Sequence, residues 1–192
     1  FSGNGYSDEW KAEAKKRGLP ILNTTPDALE MLKDKKVTQF LVDMKVLSRD
    51  EIDSRYHIAV ERYTKTLDIE HMSMLEITST YIIPTLEKQM EQLGEAHESM
   101  TSASLKKLHK SRITEFEETF AKVLSGYESF RTKVEKCRKI HDEAKRMWEI
   151  VEELQPAAVK LRDAIDEIEM MVSDELWPLP KYREMLLSHS LS

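Results

Sequence analysis

The sequence contains few of the residues that interrupt or cross-link a chain. Among its 192 residues there are 5 Gly, 6 Pro and a single cysteine, Cys137. So little Gly and Pro argues against a loop-rich β fold, and one cysteine excludes an intrachain disulfide framework. No apolar run approaches the ~18 residues that a membrane-spanning helix requires. We therefore expect a chain of a reducing compartment, the cytoplasm, with no membrane as a partner.

Helix-forming and charged residues make up much of what the sequence does contain. Hydrophobic residues are 40% and charged residues 33% of the chain, and the net charge is −6. This balance is typical of long amphipathic helices and is too apolar for a disordered chain. The acidic charge gives no reason to expect nucleic acid as a partner. Because residue 1 is Phe rather than Met and residues 1–5 do not form a signal peptide, we expect a fragment or a processed chain.

Capping signals predict three short helices in residues 1–47, which we interpret as a junction segment. Ser7 is the predicted N-cap of the first helix, which ends at Gly18 because Gly is favoured just past a helix C-terminus. Thr25 is the predicted N-cap of the second helix, and the third covers roughly residues 37–44.

A capping box at residues 48–51 then predicts the start of a long helix. Pro84 lies inside its apolar stripe and should kink the helix near Thr80. Gly94 and the Ser/Thr-rich residues 99–104 are predicted to end it. At helical spacing, the stripe consists of Ile52, Tyr56, Ala59, Tyr63, Leu67, Met74, Ile82, Leu86, Met90 and Leu93.

Two further apolar stripes follow, and the first has the alternating spacing of four and three that defines a heptad seam. The heptad seam consists of Phe116, Phe120, Val123, Tyr127, Phe130, Val134, Cys137, His141, Ala144, Trp148 and Val151. The last stripe consists of Leu161, Ile165, Ile168, Val172 and Leu176.

A helix unbroken over residues 105–173 would be ~100 Å long, whereas its partner over residues 49–93 would be ~68 Å long. The excess apolar face would have no cover, so we expect the chain to reverse. The candidate positions are Ser125–Gly126, residues 139–142 and Gln155–Pro156. The middle position gives near-equal arms, although the unbroken heptad pattern argues against it.

These patterns predict an all-α fold. Long, kinked, antiparallel helices over residues 48–176 form a three-helix-type bundle, and the short N-terminal helices pack on it. Residues 177–192 form a Trp-Pro tail. The two prolines keep residues 177–180 out of a helix, and a short amphipathic stretch covers residues 182–187.

Helical bundles can hold di-iron sites, which need Glu-x-x-His on two helices. None of the 6 histidines has Glu three residues before it, and Asp68 with His71 is the one relative of this motif. Asp53, His57 and Glu61 share a helical face, for which a solvated polar surface is the preferred interpretation. We therefore predict no metal ligands in this chain.

Other candidate sites also have simpler structural interpretations. Cys137 and His141 are one helical turn apart, as a nucleophile and a base could be, but both belong to the heptad seam. The basic stretches 106–112 and 131–139 adjoin acidic residues, which indicates mixed solvated faces. Residues 3–5 are too few for a phosphate-binding loop. We predict no catalytic and no cofactor-binding residues.

Ten short strings with distinctive polar, aromatic and proline residues are spread along the chain. They are GNGYSDEW (3–10), KRGLP (16–20), TTPDAL (24–29), SRY (54–56), TLDIE (66–70), IP (83–84), PA (156–157), LR (161–162), DEIE (166–169) and WPLPKY (177–182). In this order they resemble the C-terminal helical domain of type III glutamine synthetases. Residues 95–142 contribute only the heptad pattern, and in the tail Leu179 and Lys181 replace an aromatic residue and Thr of the family pattern.

The resemblance implies a parent enzyme that ligates ammonia to glutamate through a γ-glutamyl phosphate, using ATP and Mg²⁺ or Mn²⁺. It places the metal- and phosphate-binding residues of that enzyme outside this sequence, so no cofactor is implied for this segment. It also implies ring-shaped homo-oligomers, with the catalytic domain and neighbouring subunits as partners, and a role for these helices in assembly or regulation. The alternative from the residues alone is a free-standing helical adaptor.

Overall fold

The protein is described by a computed structural model that covers residues 3–181, 184 and 185. These residues form eight α-helices and two π-helical segments, with no β-strand among them, which confirms the all-α prediction. None of the helices in this part is both long and apolar enough to cross a bilayer. The elements are α1 (Asp8–Lys16), α2 (Thr25–Glu30), α3 (Lys35–Asp43), α4 (Arg49–Ile77), π1 (Thr78–Ile82), α5 (Ile83–Ser99), α6 (Ala103–Arg138), α7 (Glu143–Glu149), π2 (Ile150–Leu154) and α8 (Gln155–Glu169).

The first short helix begins and ends where the sequence predicts. The Ser7 side chain accepts a hydrogen bond from the backbone N–H of Trp10 at 3.2 Å, which caps α1. Beyond the C-terminus of α1, Gly18 adopts a φ of 73°. Glycine takes this left-handed conformation without the steric cost that a Cβ would bring, so the chain can turn away from the helix axis there.

The second short helix begins one residue earlier than predicted. Its N-cap is Thr24 and not Thr25, so that prediction is wrong. Thr24 and Asp27 form a capping box, in which each side chain accepts a hydrogen bond from the other's backbone N–H. Thr25 has Ala28 at the matching position, and alanine cannot complete the box. The third helix, α3, starts at Lys35, slightly before its predicted start.

The first long arm, α4–π1–α5, is a continuous helical rod, and the predicted capping box at residues 48–51 begins it. Pro84 has no N–H to donate to the carbonyl of Thr80, and its ring would collide with that carbonyl in a regular α-helix. The chain widens into π1 just before Pro84, at the position of the predicted kink. Gly94 lies inside α5 and does not end the helix, because an internal glycine costs only about 1 kcal/mol. The helix ends at Ser99, where the predicted Ser/Thr-rich stretch begins.

The chain reverses between α6 and α7, at residues 139–142, which is the middle of the three candidate positions. Ser125–Gly126 lies inside α6, and Gln155–Pro156 starts α8 directly after π2, so neither reverses the chain. Pro156 follows π2 as Pro84 follows π1. The first and third arms therefore accommodate an internal proline in the same way.

Contacts between neighbouring arms show that they run antiparallel. The third arm consists of α7, π2 and α8. Residues later in α6 contact residues earlier in the third arm and earlier in the first arm. Ion pairs join the second and third arms at Lys122–Glu167, Lys133–Glu153 and Lys136–Glu149. Ring contacts join the first and second arms at His71–Phe130 and His97–His109. The three-helix-type architecture is thus as the sequence predicts.

The heptad seam is present in α6 but loses its register after the turn. Residues 139–142 are not helical, so they change the phase of the repeat. On the inner face of α6 the buried seam residues are Phe116, Val123, Phe130, Val134 and Cys137. In α7 and π2 the buried residues are Met147, Ile150 and Leu154. The heptad seam predicts three other buried positions in this arm, but these are only half-buried. They are Ala144, Trp148 and Val151.

The last stripe packs into the core even where it is no longer helical. α8 ends at Glu169, yet Val172 and Trp177 beyond it remain buried. Residues 177–180 are not helical, as predicted. Leu179 lies at the edge of an apolar groove of about 400 Å³ between the first and third arms. Of the predicted stretch over residues 182–187, all but residues 184 and 185 lie outside the described part.

One main core fills the bundle, and a smaller cluster attaches the N-terminal helices. Gly126 allows the close approach of Leu161, whose side chain lies 3.4 Å from where a Cβ would be. In the smaller cluster, Leu29 and Leu32 pack on a buried group in α4 and α7. That group consists of Tyr56, Val60 and Met147.

Candidate functional site

A group of polar side chains lies where α4 meets the turn between α6 and α7. The Asp68 carboxylate accepts a hydrogen bond from Arg146 Nη2 at 2.8 Å, and Arg138 Nε lies 3.3 Å from the same oxygen. The side chains of Arg146 and Asp68 are only 15% and 25% exposed. Charge-assisted contacts of this kind are stronger than neutral hydrogen bonds. They fix the turn onto the middle of α4.

Buried polar residues also recur every seven positions along the first arm, a pattern that the apolar stripe did not predict. Thr64 Oγ1 donates to Glu143 Oε2 at 2.6 Å, which adds a second contact between α4 and α7. Thr78 Oγ1 donates to the carbonyl of Met74, and thereby satisfies its hydroxyl beside π1. The four residues of this row are Thr64, His71, Thr78 and Thr85.

Asp68 and His71, whose spacing resembles that of the bundle metal motif, make separate contacts. His71 Nδ1 has no hydrogen-bond partner among the described residues, and its ring meets Phe130 edge-on at 5.4 Å between centroids. Burial lowers the pKa of His71, against a smaller opposing effect of Glu70 and Asp68. No group of three or more His, Cys, Asp or Glu that could hold a metal occurs in residues 3–181, 184 and 185.

ATP and the divalent cation implied for the parent enzyme do not fit the polar site of this chain. A hard cation needs several oxygen ligands, and phosphates need unpaired donors. Here the Asp68 carboxylate faces two guanidinium groups. The arrangement stabilises the bundle and offers no such ligand set.

The structure does not bring Cys137 and His141 onto one helical face. Cys137 is buried at the end of α6, whereas His141 is exposed in the following turn, beyond the last helical residue Arg138. Burial raises the pKa of the Cys137 thiol, and the nearby charge of Arg146 offsets this only in part. A thiol with a raised pKa is a poor nucleophile at neutral pH, so Cys137 contributes as a core residue.

The remaining candidates lie on solvated surfaces. Asp53, His57 and Glu61 are all exposed, and Glu61 pairs with Lys65 one turn along the helix. In the basic stretch 131–139, four of the five cations pair with carboxylates, namely Arg131, Lys133, Lys136 and Arg138. Most of the stretch 106–112 is exposed, apart from the half-buried Lys106 and the buried His109. Residues 3–5 lie in an exposed turn before α1.

A different feature distinguishes residues 3–47, which we call the N-terminal segment. Its buried residues are only Ala14, Pro26 and Thr38. Eight of its large apolar side chains are at least 41% exposed. A segment with so much uncovered apolar surface is typical of a protein interface. These side chains are Tyr6, Leu19, Ile21, Leu22, Val37, Phe40, Met44 and Val46.

An all-helical bundle with a filled core and an N-terminal segment of short, largely exposed helices defines the class: a helical bundle domain. The chain belongs to the glutamine synthetase C-terminal domain family, whose model matches residues 1–101. This result confirms the resemblance found in the sequence.

Three relatives are similar over nearly the whole chain. A glutamine synthetase of Bacteroides fragilis is 31% identical over 98% of the chain, and a type-3 glutamine synthetase of Dictyostelium discoideum is 28% identical over 97%. A glutamine synthetase of Butyrivibrio fibrisolvens is 26% identical over 98%. The chain spans only 26–27% of the length of these relatives. The similarity thus concerns about a quarter of each.

Proposed function

We propose that this chain is the non-catalytic C-terminal domain of a glutamine synthetase and that it serves oligomer assembly or regulation. The parent reaction is the ATP-dependent ligation of ammonia to glutamate, which gives glutamine, with Mg²⁺ or Mn²⁺, in the cytoplasm. The observation that carries the proposal is that 97–98% of the chain aligns with about a quarter of the length of each of three proteins named glutamine synthetase.

The contacts of the reactive side chains support a non-catalytic role. The Asp68 carboxylate pairs with two arginines, and the buried Thr64 hydroxyl donates to Glu143. The buried Cys137 has a thiol whose pKa is raised by burial. Each of these groups contributes to contacts between helices, which is a structural role.

The surface of the N-terminal segment supports a role in contacts with other protein. Its eight exposed apolar side chains have no core of their own to enter. Covering such a surface releases water from apolar atoms, and this stabilises the contact by about 25 cal/mol for each Å² removed from solvent. The partners that we propose are the catalytic domain of the same polypeptide and neighbouring subunits of a homo-oligomer.

The first test is the mass of the native polypeptide in source cells, detected with an antibody to this domain. We expect a polypeptide nearly four times heavier than 22.4 kDa, because the chain spans 26–27% of its relatives. That polypeptide should form glutamine from glutamate and ammonia when ATP is present. A native polypeptide near 22.4 kDa would contradict the proposal and favour a free-standing helical adaptor.

The second test separates a role in assembly or regulation from a passive one. We expect a parent enzyme that ends at Asn23 to lose its native oligomer size or to change its kinetics. A parent that ends at Lys181 keeps the whole bundle and is the matched control. Unchanged size and kinetics in the shorter form would contradict a role in assembly or regulation.

A further inference from the structure

The helix α3 and its C-cap residue carry three apolar side chains on a face that the bundle does not cover. Val37, Phe40 and Met44 are spaced by three and four residues, so they form one stripe along the helix. They are 42%, 57% and 70% exposed. A surface helix of a globular protein normally turns such a stripe toward the core. Here the stripe faces outward, and we call it the α3 stripe.

The opposite side of α3 is attached to the bundle through polar contacts. Arg49, at the start of α4, donates from Nη1 to Thr38 Oγ1 at 2.9 Å and from Nη2 to Gln39 Oε1 at 3.2 Å. Thr38 is the buried residue of the helix, with 3% exposure. These bonds hold α3 in the orientation that presents the α3 stripe to the outside.

We propose that the α3 stripe docks into an apolar groove on the ligase part of the same polypeptide, with Phe40 as the central anchor. This inference rests on the proposed function. Spacings of i, i+3 and i+7 are those by which an amphipathic helix enters a groove. A few residues near the centre of a contact provide most of its binding energy, and Phe and Met are enriched in interface cores.

The size of the α3 stripe favours this occupant over a second copy of the chain. A stable dimer buries about 800 Å² on each partner, which a nine-residue helix cannot provide by itself. A contact within one polypeptide needs less area, because linkage gives an effective concentration of the order of millimolar. About three quarters of each relative lies outside the aligned stretch, which offers such a partner. The stripe also lies within the residues that the family model matches.

The test compares hydrogen–deuterium exchange of α3 in the 192-residue chain and in the native long polypeptide. We expect exchange in α3 to be at least about tenfold slower in the long polypeptide, because docking suppresses local opening. Equal exchange in the two proteins would overturn the proposal. Absence of a long polypeptide would instead refute the proposed function on which it rests, so the two failures are distinguishable.

A pair of variants shows whether the α3 stripe itself makes the contact. Phe40→Glu with Met44→Glu should raise α3 exchange in the long polypeptide to the rate of the short chain. Ile58→Glu with Ile69→Glu is the matched control, because these α4 side chains are also exposed, at 62% and 68%. The control should leave α3 exchange unchanged. A stripe variant that exchanges like the wild type, or a wild-type chain that sediments as a dimer through this face, would overturn the proposal.

Discussion

The bundle and the N-terminal segment use their apolar residues in opposite ways. In the bundle, Phe116, Phe130 and Ile168 are at most 1% exposed. In the N-terminal segment, Phe40 and Met44 are 57% and 70% exposed, although Phe40 lies on the capped helix α3 and Met44 is its C-cap residue. Local signals such as caps and glycine turns can therefore define helices without giving them a core. Only the bundle has the area to bury its own apolar faces.

The largest expected difference between the two regions is in the cost of removing a phenylalanine. Phe130→Ala should lower the free energy of unfolding by about 3–5 kcal/mol, because it leaves a cavity in a filled core. Phe40→Ala should change it by less than about 0.5 kcal/mol in this chain, because Phe40 is already exposed. Urea denaturation followed by circular dichroism measures both. Equal losses would remove the basis of the comparison.

The second prediction concerns the polar junction that fixes the turn in the bundle. Asp68→Asn should lower the free energy of unfolding by about 1–2 kcal/mol, because it leaves the mostly buried Arg146 without its counter-charge. The control is Asp166→Asn, whose partner Arg162 has a 58% exposed side chain. Its loss should be below about 0.5 kcal/mol. If both variants lose the same amount, the junction has no special role.

The third prediction concerns the contact that attaches the N-terminal segment. Tyr56 donates from its hydroxyl to Glu30 at 2.8 Å, so Tyr56→Phe should cost about 1 kcal/mol. Burial, helped by this bond to Glu30, raises the pKa of Tyr56 to about 12. The unfolded value is about 10, so the stabilisation is complete below pH 10 and is lost as pH rises from about 10 to about 12.

Denaturation at several pH values tests this linkage. The stability difference between wild type and Tyr56→Phe should shrink through that alkaline window. Tyr81→Phe, which alters a side chain that is 53% exposed, is the control and should behave as wild type. A difference that is constant with pH would contradict the assignment.

The smallest expected effect is an acid sensitivity of the core. Burial lowers the pKa of His71, so the unfolded state binds a proton more readily than the folded state. Stability should therefore fall as pH drops below the unfolded value of about 6.5. His71→Leu should flatten this dependence, whereas His57→Leu, at an exposed position, should not. Identical acid profiles for the two variants would show that another group is responsible.

Features that depend on neighbouring residues were predictable from the sequence. The capping box of Ser48 with Glu51, the end of α1 at Gly18 and the seam through Phe130 all follow from spacing over a few residues. The reversal at residues 139–142 was harder, because no Gly or Pro marks it and the heptad pattern continues through it. It was favoured only because an apolar face needs cover, and its effect on register was missed.

Features that depend on distant partners could not be predicted from spacing. The orientation of α3 depends on hydrogen bonds from Arg49, which lies on another helix. The buried row that includes Thr64 and His71 was overlooked because its residues are polar, although their spacing of seven was visible. The structural role of Asp68 depends on Arg138 and Arg146, which are brought near only by the turn.

The central claim is that the bundle is stable by itself, whereas the N-terminal segment needs a partner. Hydrogen–deuterium exchange on the 192-residue chain alone tests it most directly. Amides around Phe130 should exchange only by global unfolding, and amides of α3 should exchange at least about a hundredfold faster through local opening. Equal protection in α3 and α6 would contradict the account, since both regions would then unfold as a single unit.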